Sequence, residues 1–397
     1  MRAALLASVA LIVAPMAHAQ TNNQYQAGNA TATTTVNVGD AQDAGATAVA
    51  SGNASTAVNE DDDAEFTNNQ HMDGAANATA NATVWHAEGN VAITSAAVGN
   101  GTTATTENGD LELWSGQASH NDANATTTFT GADSNNAGTS ASASGNVAAV
   151  SADHGQARAI VLQESTGSVS AVSEADHGVV ADQSVSAAIA SANNLSVGGE
   201  TATVLIDTTQ AAYGESVSAR SDIYVGYATD VSGNATANAN AATIDNQWGY
   251  VNARINQSAT ATVTADSYVT LGGDFLGFAS AGAYGVGNQA IVSNVGSDTV
   301  MDVTQNNAGD VYANAALSGE GGDAALASAA AYGNSVSSSL CAYCDDSVPS
   351  LTASSEQVNA GDVNARATVV SPRARTVAAT STAIGNAATY QVSGPTN

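Results

Sequence analysis

The sequence predicts an all-β fold, a single elongated β-solenoid, and three observations carry that prediction. Marker residues recur at a fixed interval, the residues between them alternate with a period of two, and small side chains dominate. Aromatic residues make up 5% of the 397 residues, and alanine is the largest part of the 44% hydrophobic fraction. Such a composition lacks the large side chains of an ordinary globular core, whereas a thin stacked coil buries small ones.

Glutamine marks the repeat. Eight glutamines are separated by 46, 47, 46, 47, 47, 48 and 52 residues. They are Gln24, Gln70, Gln117, Gln163, Gln210, Gln257, Gln305 and Gln357. Because self-similarity at a fixed period indicates stacked structural units, we predict eight repeats of about 47 residues.

Each repeat also carries two positions that we interpret as corners. In six repeats a Gly lies four residues after the Gln, and Asn121 or Ala261 stands there in the other two. A second Gly, followed by Asn, lies about half a repeat later; Ala192 replaces it once, and Gly233 makes one step short. The other glycines of this series are Gly28, Gly52, Gly74, Gly99, Gly145, Gly167, Gly214, Gly287, Gly309, Gly333, Gly361 and Gly385. Sixteen corners with a mean step of (385 − 28)/15, about 24 residues, predict sixteen rungs of that length, paired into the eight repeats.

The segments between corners alternate as strands do. Residues 30–38 and 260–269 place small or β-branched residues at every second position, which sends alternate side chains to opposite faces. At about 4.8 Å per rung, sixteen rungs predict a rod of roughly 75 Å. We expect glycine at the corners because it tolerates a positive φ, and we expect the neighbouring Asn side chains to hydrogen-bond along the stack.

The chain is organised as a leader and one domain. Residues 1–19 combine an early Arg, a short apolar run and an Ala-His-Ala end, which is the pattern of a secretory signal peptide. We therefore expect export, with residues 20–397 forming one repetitive β-solenoid domain. The long step from Gly333 to Gly361 predicts an inserted loop near residues 339–349.

Charge and motifs exclude several classes of function. With 36 acidic and 7 basic residues the formal net charge is −29, which argues against nucleic acid as a partner. The sequence has no nucleophile elbow and no Walker loop. We predict a protein that is not an enzyme, with no catalytic residue, no cofactor and no metal.

Cysteine and histidine leave alternatives open. In an exported chain we expect Cys341 and Cys344 to form a small disulfide; a zinc site or a redox pair needs further ligands or a βαβ context. His154 and His177 lie in duplicated Ala-Asp-His-Gly tetrads half a repeat apart, so we expect them at equivalent places on adjacent rungs. We favour copying of the repeat over a shared metal, and a solvated turn over a calcium site for the acidic run 59–63.

Aromatic and cationic side chains are the remaining candidates for contact. Trp85, Trp114 and Trp248 present surfaces that stack on sugar rings or plug rung ends. Arg366, Arg373 and Arg375 gather near the C-terminus, where they contact an acidic partner or offset neighbouring carboxylates.

The Gln-x-x-x-Gly and Gly-Asn marks resemble the repeat style of curlin-like secreted surface proteins. Length, Ala/Asn bias, the absence of Lys and the late Cys341/Cys344 pair are similar to the holdfast attachment protein D family of stalked alphaproteobacteria. This resemblance implies a protein of the outer cell surface, peripherally attached to the outer membrane, that keeps the adhesive holdfast polysaccharide on the cell. It also implies a curlin-like partner and an outer-membrane lipoprotein pore, and it assigns no binding residues.

We hypothesise a surface adhesin or anchor that acts in biofilm attachment through many weak contacts in parallel. The first alternative is a self-assembling, curli-like fibre subunit, because the ends of a solenoid present open strand edges. Further alternatives are an ice-binding solenoid with threonine arrays such as Thr31 and Thr33, and a polysaccharide-cleaving β-helix enzyme with a carboxylate pair.

Overall fold

A computed structural model describes residues 19–342 and 349–394, and these residues form strands and connecting turns without a helix. The strands are β1 (Ala19–Gln26), β2 (Ala30–Ala41), β3 (Ala44–Glu60), β4 (Ala64–Met72), β5 (Ala76–Ala87), β6 (Asn90–Ser119), β7 (Ala123–Ser134), β8 (Asn136–Ser165), β9 (Val169–Ala212), β10 (Ser216–Gln247), β11 (Val251–Ala259), β12 (Thr262–Leu271), β13 (Phe278–Val295), β14 (Thr299–Asn307), β15 (Val311–Ser318), β16 (Ala324–Cys341), β17 (Leu351–Asn359), β18 (Val363–Val370) and β19 (Thr376–Ser393). Alanine alone favours helix, but its β-branched partners and the pairing of neighbouring strands decide for sheet. The predicted all-β class is confirmed. Nearly all of the predicted signal peptide lies outside the described residues.

All nineteen strands belong to one parallel sheet whose register reveals the stacked unit. Residues that pair across strands are 46 to 48 positions apart, as in Gln24 with Gln70, and 52 apart at the last step, as in Thr299 with Leu351. No strand in the described ranges pairs with one that lies half a repeat away. The prediction of sixteen half-repeat rungs is therefore wrong: the stacked layer is the whole repeat between successive glutamines.

Each layer contains four strand segments. In the fourth layer they are 157–165, which carries a repeat glutamine and is called the glutamine segment, then 169–177, 184–191 and 193–200; the last begins with Asn193 and is called the asparagine segment. Buried apolar residues form two clusters along the stack. The second and third segments supply one cluster, and the glutamine and asparagine segments supply the other. Each layer thus encloses two thin apolar cores rather than one.

The regularly spaced asparagines form a continuous ladder, as predicted. Each Nδ2 donates to the Oδ1 of the next layer's asparagine at 2.7–2.8 Å, and seven such bonds join eight layers. The members are Asn53, Asn100, Asn146, Asn193, Asn240, Asn288, Asn334 and Asn386. The member in the fifth layer is Asn240 rather than Asn234, and Gly233 lies mid-strand opposite Ser186. The short step at Gly233 therefore reflects a misassigned corner, and a bulge between Ala228 and Asp230 shifts the strand register just before it.

The glutamines form a second ladder, which was not predicted from the sequence. Each Nε2 donates to the Oε1 of the preceding layer's glutamine at 2.7–3.0 Å. The same Nε2 donates to the backbone carbonyl that follows the layer's ladder asparagine, as Gln163 does to Asn194. Each ladder asparagine except the last donates in turn to a backbone carbonyl of the next glutamine segment. The two ladders therefore bind the glutamine and asparagine segments together where the two cores meet.

The predicted corners fall into two columns, and close approach of the neighbouring layer explains glycines such as Gly74 and Gly145. Gly74 lies at a bend, where a Cβ would come 2.0 Å from the carbonyl oxygen of Gly28. Gly145 lies inside β8, where a Cβ would come 2.6 Å from the carbonyl oxygen of Ala192. Neither glycine has a positive φ, so the predicted reason for glycine at these positions is wrong. These glycines exclude a side chain that would push the layers apart.

A positive φ occurs instead at the turn between the asparagine segment and the next glutamine segment. Six successive layers place a left-handed residue there, with φ between 53° and 79°. The residues are Asp61, Asn108, His154, Thr201, Trp248 and Gly296. A β-branched or bulky residue is strained in this conformation, so Thr201 and Trp248 are held there by the layers on either side.

The predicted insertion corresponds to a change of register. The spacing between partners is 46 for Val295 and Cys341 and 52 for Thr299 and Leu351, so six additional residues lie between Cys341 and Leu351. The predicted disulfide involves Cys344, which lies outside the described residues, and the pairing stays a prediction.

Candidate functional site: a groove along the glutamine segments

An open groove of about 600 Å³ runs along the outer surface of the glutamine segments, and we call it the glutamine groove. Ladder glutamines such as Gln163 point inward and are buried, so the residues before and after each of them point outward. These outward positions line the groove from the first layer to the fifth. The lining includes Tyr25, His71, Leu162, Glu164, Thr209 and Ala211.

The glutamine groove is long, partly apolar and ringed by hydrogen-bonding groups. Four steps of about 4.8 Å give a length of about 19 Å between the first and fifth layers. Tyr25 is 65% exposed, and Trp114 and Leu162 are each 40% exposed. Gly116 leaves the groove open beside the indole ring of Trp114. This surface offers stacking and hydrogen bonding to an extended polar ligand.

A cluster of titratable side chains lies at the first-layer end of the glutamine groove. Oδ1 of Asp73 is 2.9 Å from Nε2 of His71 and 3.1 Å from Nδ1 of His120. The hydroxyl of Tyr25 donates to Oδ2 of Asp73 at 2.6 Å. The Tyr25 and His71 rings stack with centroids 5.3 Å apart, and the His71 and His120 rings meet edge to face at 4.5 Å.

Hydrogen bonding sets the charge state of this cluster. The bond from Tyr25, followed by the one from His120 and the charge of His71, lowers the pKa of Asp73 below its usual value. The same bond raises the pKa of the Tyr25 hydroxyl. Asp73 is therefore an anion held between two imidazoles, and this donor set is suited to a metal. His71, Asp73 and His120 share no motif that marks them as a site in the sequence, although their positions relative to Gln70 and Gln117 place them together once the layer is a whole repeat.

His154 and His177 are not brought together, so the predicted equivalence of these residues is wrong. His154 lies in the left-handed turn before a glutamine segment, with Nδ1 2.6 Å from Oδ1 of Asp153. His177 lies in the second segment of the fourth layer, where it is buried against the ring of Phe129 at 4.6 Å. Burial lowers the pKa of His177 to about 4. Two residues that are half a repeat apart lie in different segments of a layer, not at equivalent places on neighbouring layers.

The three tryptophans occupy three different parts of the surface. Trp114 borders the glutamine groove, Trp85 is 68% exposed near the end of β5, and Trp248 lies in a left-handed turn. They do not form one stacking row.

Other predicted contact residues have local partners. Arg373 pairs with Asp274 at 3.0 Å and with Glu320, and Arg375 lies 3.5 Å from Asp323. These two arginines offset neighbouring carboxylates. The acidic run 59–63 forms an exposed turn in which Oδ1 of Asp63 accepts from the backbone N–H of Asp110.

The comparison that decides the family covers most of the chain. A family model described as holdfast attachment protein D matches residues 38–310. The chain belongs to the holdfast attachment protein D family. Membership gives it a role in holdfast attachment at the cell envelope, and the family is not a known enzyme family. No curated protein and no solved structure matches the chain.

The part of the chain that matches the holdfast attachment protein D family includes most of the glutamine groove. His71, Asp73 and His120 lie within residues 38–310, and Tyr25 precedes them. The described residues contain no membrane-spanning helix.

Proposed function

We propose that the exported chain is a surface anchor that holds an adhesive polysaccharide to the outer envelope through the glutamine groove. The carrying observation is that outward side chains recur along this groove once per layer. A spacing of about 4.8 Å is close to the length of one sugar unit in an extended chain, so successive layers meet successive sugars. Binding then accumulates from several weak contacts and leaves the polysaccharide intact.

The parallel register supports a solenoid as the scaffold of this anchor. Each layer returns the chain to the same four segments, so we propose that the eight layers wind as a β-solenoid about 38 Å long. This is half of the rod expected from sixteen rungs. We further propose peripheral attachment to the outer membrane through an outer-membrane lipoprotein pore and a curlin-like surface protein. The family's role in attachment supports that placement.

Substitution of Tyr25, which lines the groove, and of Trp114, which borders it beside Gly116, tests the anchor. Tyr25→Ala and Trp114→Ala are each expected to weaken binding of purified protein to isolated holdfast polysaccharide about 2- to 10-fold, the value of one stacking contact. In the double variant, binding is expected to weaken by the product of the two factors. Cells that carry it are expected to shed their holdfast under flow. Binding is measured by co-sedimentation.

Trp85→Ala is the matched control, because Trp85 is more exposed than Trp114 but lies on β5, whereas Trp114 lies on a glutamine segment beside Gly116, which lines the groove. It is expected to bind as the unaltered protein does. An equal loss for Trp85→Ala and Trp114→Ala would place binding elsewhere, and shortening of the polysaccharide by purified protein would contradict the anchor.

A second candidate function, head-to-tail self-association, is favoured by the direction of the two ladders. Glutamines donate toward the first layer, and asparagines donate toward the last. At the first layer, one side-chain N–H of Gln24 and the side-chain carbonyl of Asn53 therefore have no ladder partner among the described residues. At the last layer, the side-chain carbonyl of Gln357 and one side-chain N–H of Asn386 have none. These groups are complementary donors and acceptors.

Gln357→Glu with Asn386→Asp places carboxylates at the last layer and is expected to abolish oligomers seen by sedimentation velocity; unchanged oligomers would contradict end-to-end addition.

A further inference from the structure

The cluster at the first-layer end of the glutamine groove joins three consecutive layers. Tyr25 comes from the first, His71 and Asp73 from the second and His120 from the third. Their backbones are fixed by bonds between layers: the N–H of Asp73 donates to Gln26, and the N–H of His120 donates to Met72, each at 2.9 Å. The side chains are thus presented by a rigid scaffold.

We propose that His71, Asp73 and His120 form a binding site for a divalent transition metal of the zinc type. Zinc in proteins is bound by imidazole nitrogen and carboxylate oxygen at about 2.0–2.2 Å, and in a tetrahedral site neighbouring ligand atoms then lie about 3.3 Å apart. The two nitrogens lie 2.9 and 3.1 Å from Oδ1 of Asp73, close to that separation. All three ligand atoms lie within 4.8 Å of one another, so rotation of these exposed side chains can bring them around one ion.

The surroundings of the three ligands support a metal rather than a chance ion pair. Two imidazoles compete for one carboxylate oxygen, whereas a simple ion pair such as His86 with Asp133 needs only one imidazole. Tyr25 donates to the other carboxylate oxygen, as residues behind metal ligands do to orient them. Two imidazoles with one carboxylate favour zinc, copper or nickel over calcium and magnesium, which take oxygen ligands.

The site is accessible to solvent, and its three protein ligands leave the coordination shell of a metal incomplete, as in a site that exchanges its metal. The side chains of His71, Asp73 and His120 are 38%, 41% and 38% exposed. Three protein ligands leave at least one coordination position facing solvent, where water or an oxygen of a bound molecule completes the shell.

Titration of the exported chain with zinc chloride tests the proposal. The protein carries Cys341→Ser and Cys344→Ser, which remove the cysteines as competing ligands. It is stripped of metal with EDTA and titrated by calorimetry. One zinc ion per chain is expected. His71→Ala and His120→Ala are each expected to weaken its binding at least 10-fold, and calcium chloride to give no comparable signal.

His86→Ala is the control, because it removes an exposed histidine that pairs with a carboxylate through one imidazole only. Zinc binding is expected to be unchanged in it. Circular dichroism establishes that each variant keeps its strands. A chain that takes up no stoichiometric zinc, or a His71→Ala/His120→Ala double variant that binds zinc as tightly as its parent, would overturn the site. As a second readout, copper bound at the same site is expected to show nitrogen hyperfine splitting that the double variant lacks.

Discussion

Replacing Gln163 by Ala is expected to lower the free energy of unfolding by about 3–5 kcal/mol, for two reasons that add. The substitution removes a side chain that bonds to Gln117, Gln210 and the carbonyl of Asn194 inside the stack. Each buried group left without a partner costs about 1–3 kcal/mol, and the truncation adds a cavity. Denaturation in urea, followed by circular dichroism, measures the change.

Two comparisons separate the ladder from a general effect of losing glutamine. Gln183→Ala removes an exposed side chain between the second and third segments of the same layer and is expected to change stability by less than about 0.5 kcal/mol. Gln357→Ala interrupts the ladder only at its last member, so it is expected to cost less than Gln163→Ala. If Gln163→Ala proved as mild as Gln183→Ala, the ladder would not be a source of stability.

The protein is expected to lose on the order of 3 kcal/mol of stability through His177 as the pH falls from about 6.5 to about 4. Burial lowers the pKa of His177 to about 4 from an ordinary value of 6.5. Between these values the unfolded chain binds a proton that the folded chain refuses, so acid favours unfolding; above 6.5 the full stability is present. Both ring nitrogens of His177 lack a hydrogen-bond partner among the described residues, so the folded state offers a proton no compensation.

His177→Leu removes this sensitivity. At pH 5 the variant is expected to gain about 2 kcal/mol over the unaltered protein beyond any difference at pH 7.5. His86→Leu is the contrasting variant: Asp133 raises the pKa of His86, so losing His86 costs stability only when the histidine is protonated, at low pH. Urea midpoints at the two pH values give the differences. A gap between His177→Leu and the unaltered protein that did not change with pH would show that His177 accepts a proton in the folded state.

The sequence predicted the strands, the repeat marked by glutamine and the asparagine ladder, because each leaves a mark at a fixed interval. It did not predict which unit stacks. Half-repeats have similar glycine spacing, so Gly28 and Gly52 look alike in the sequence. The deciding feature is the repeat glutamine, such as Gln70, which has no counterpart in the other half-repeat: a buried glutamine needs another glutamine above or below it to satisfy its amide.

The positions of the histidines were not predicted correctly, because the predicted layer was half of its true length. His154 and His177 share a tetrapeptide, yet one lies in an exposed left-handed turn and the other points inward, because they occupy different parts of the coil. His71 and His120 share no motif and lie in successive repeats, so only the correct layer length brings them to one place. The left-handed turns left no glycine signal, since residues such as Thr201 and Trp248 occupy them.

The distance between two outward positions of one column tests the whole-repeat layer most directly. Glu164 and Val358 follow the ladder glutamines of the fourth and eighth layers. Nitroxide labels at Glu164→Cys and Val358→Cys, with Cys341 and Cys344 replaced by Ser, report their separation by double electron–electron resonance. Four layers of about 4.8 Å predict a mean distance of about 19 Å. A mean of about 38 Å, which eight half-repeat rungs would give, would contradict the stacking on which the ladders and the glutamine groove depend.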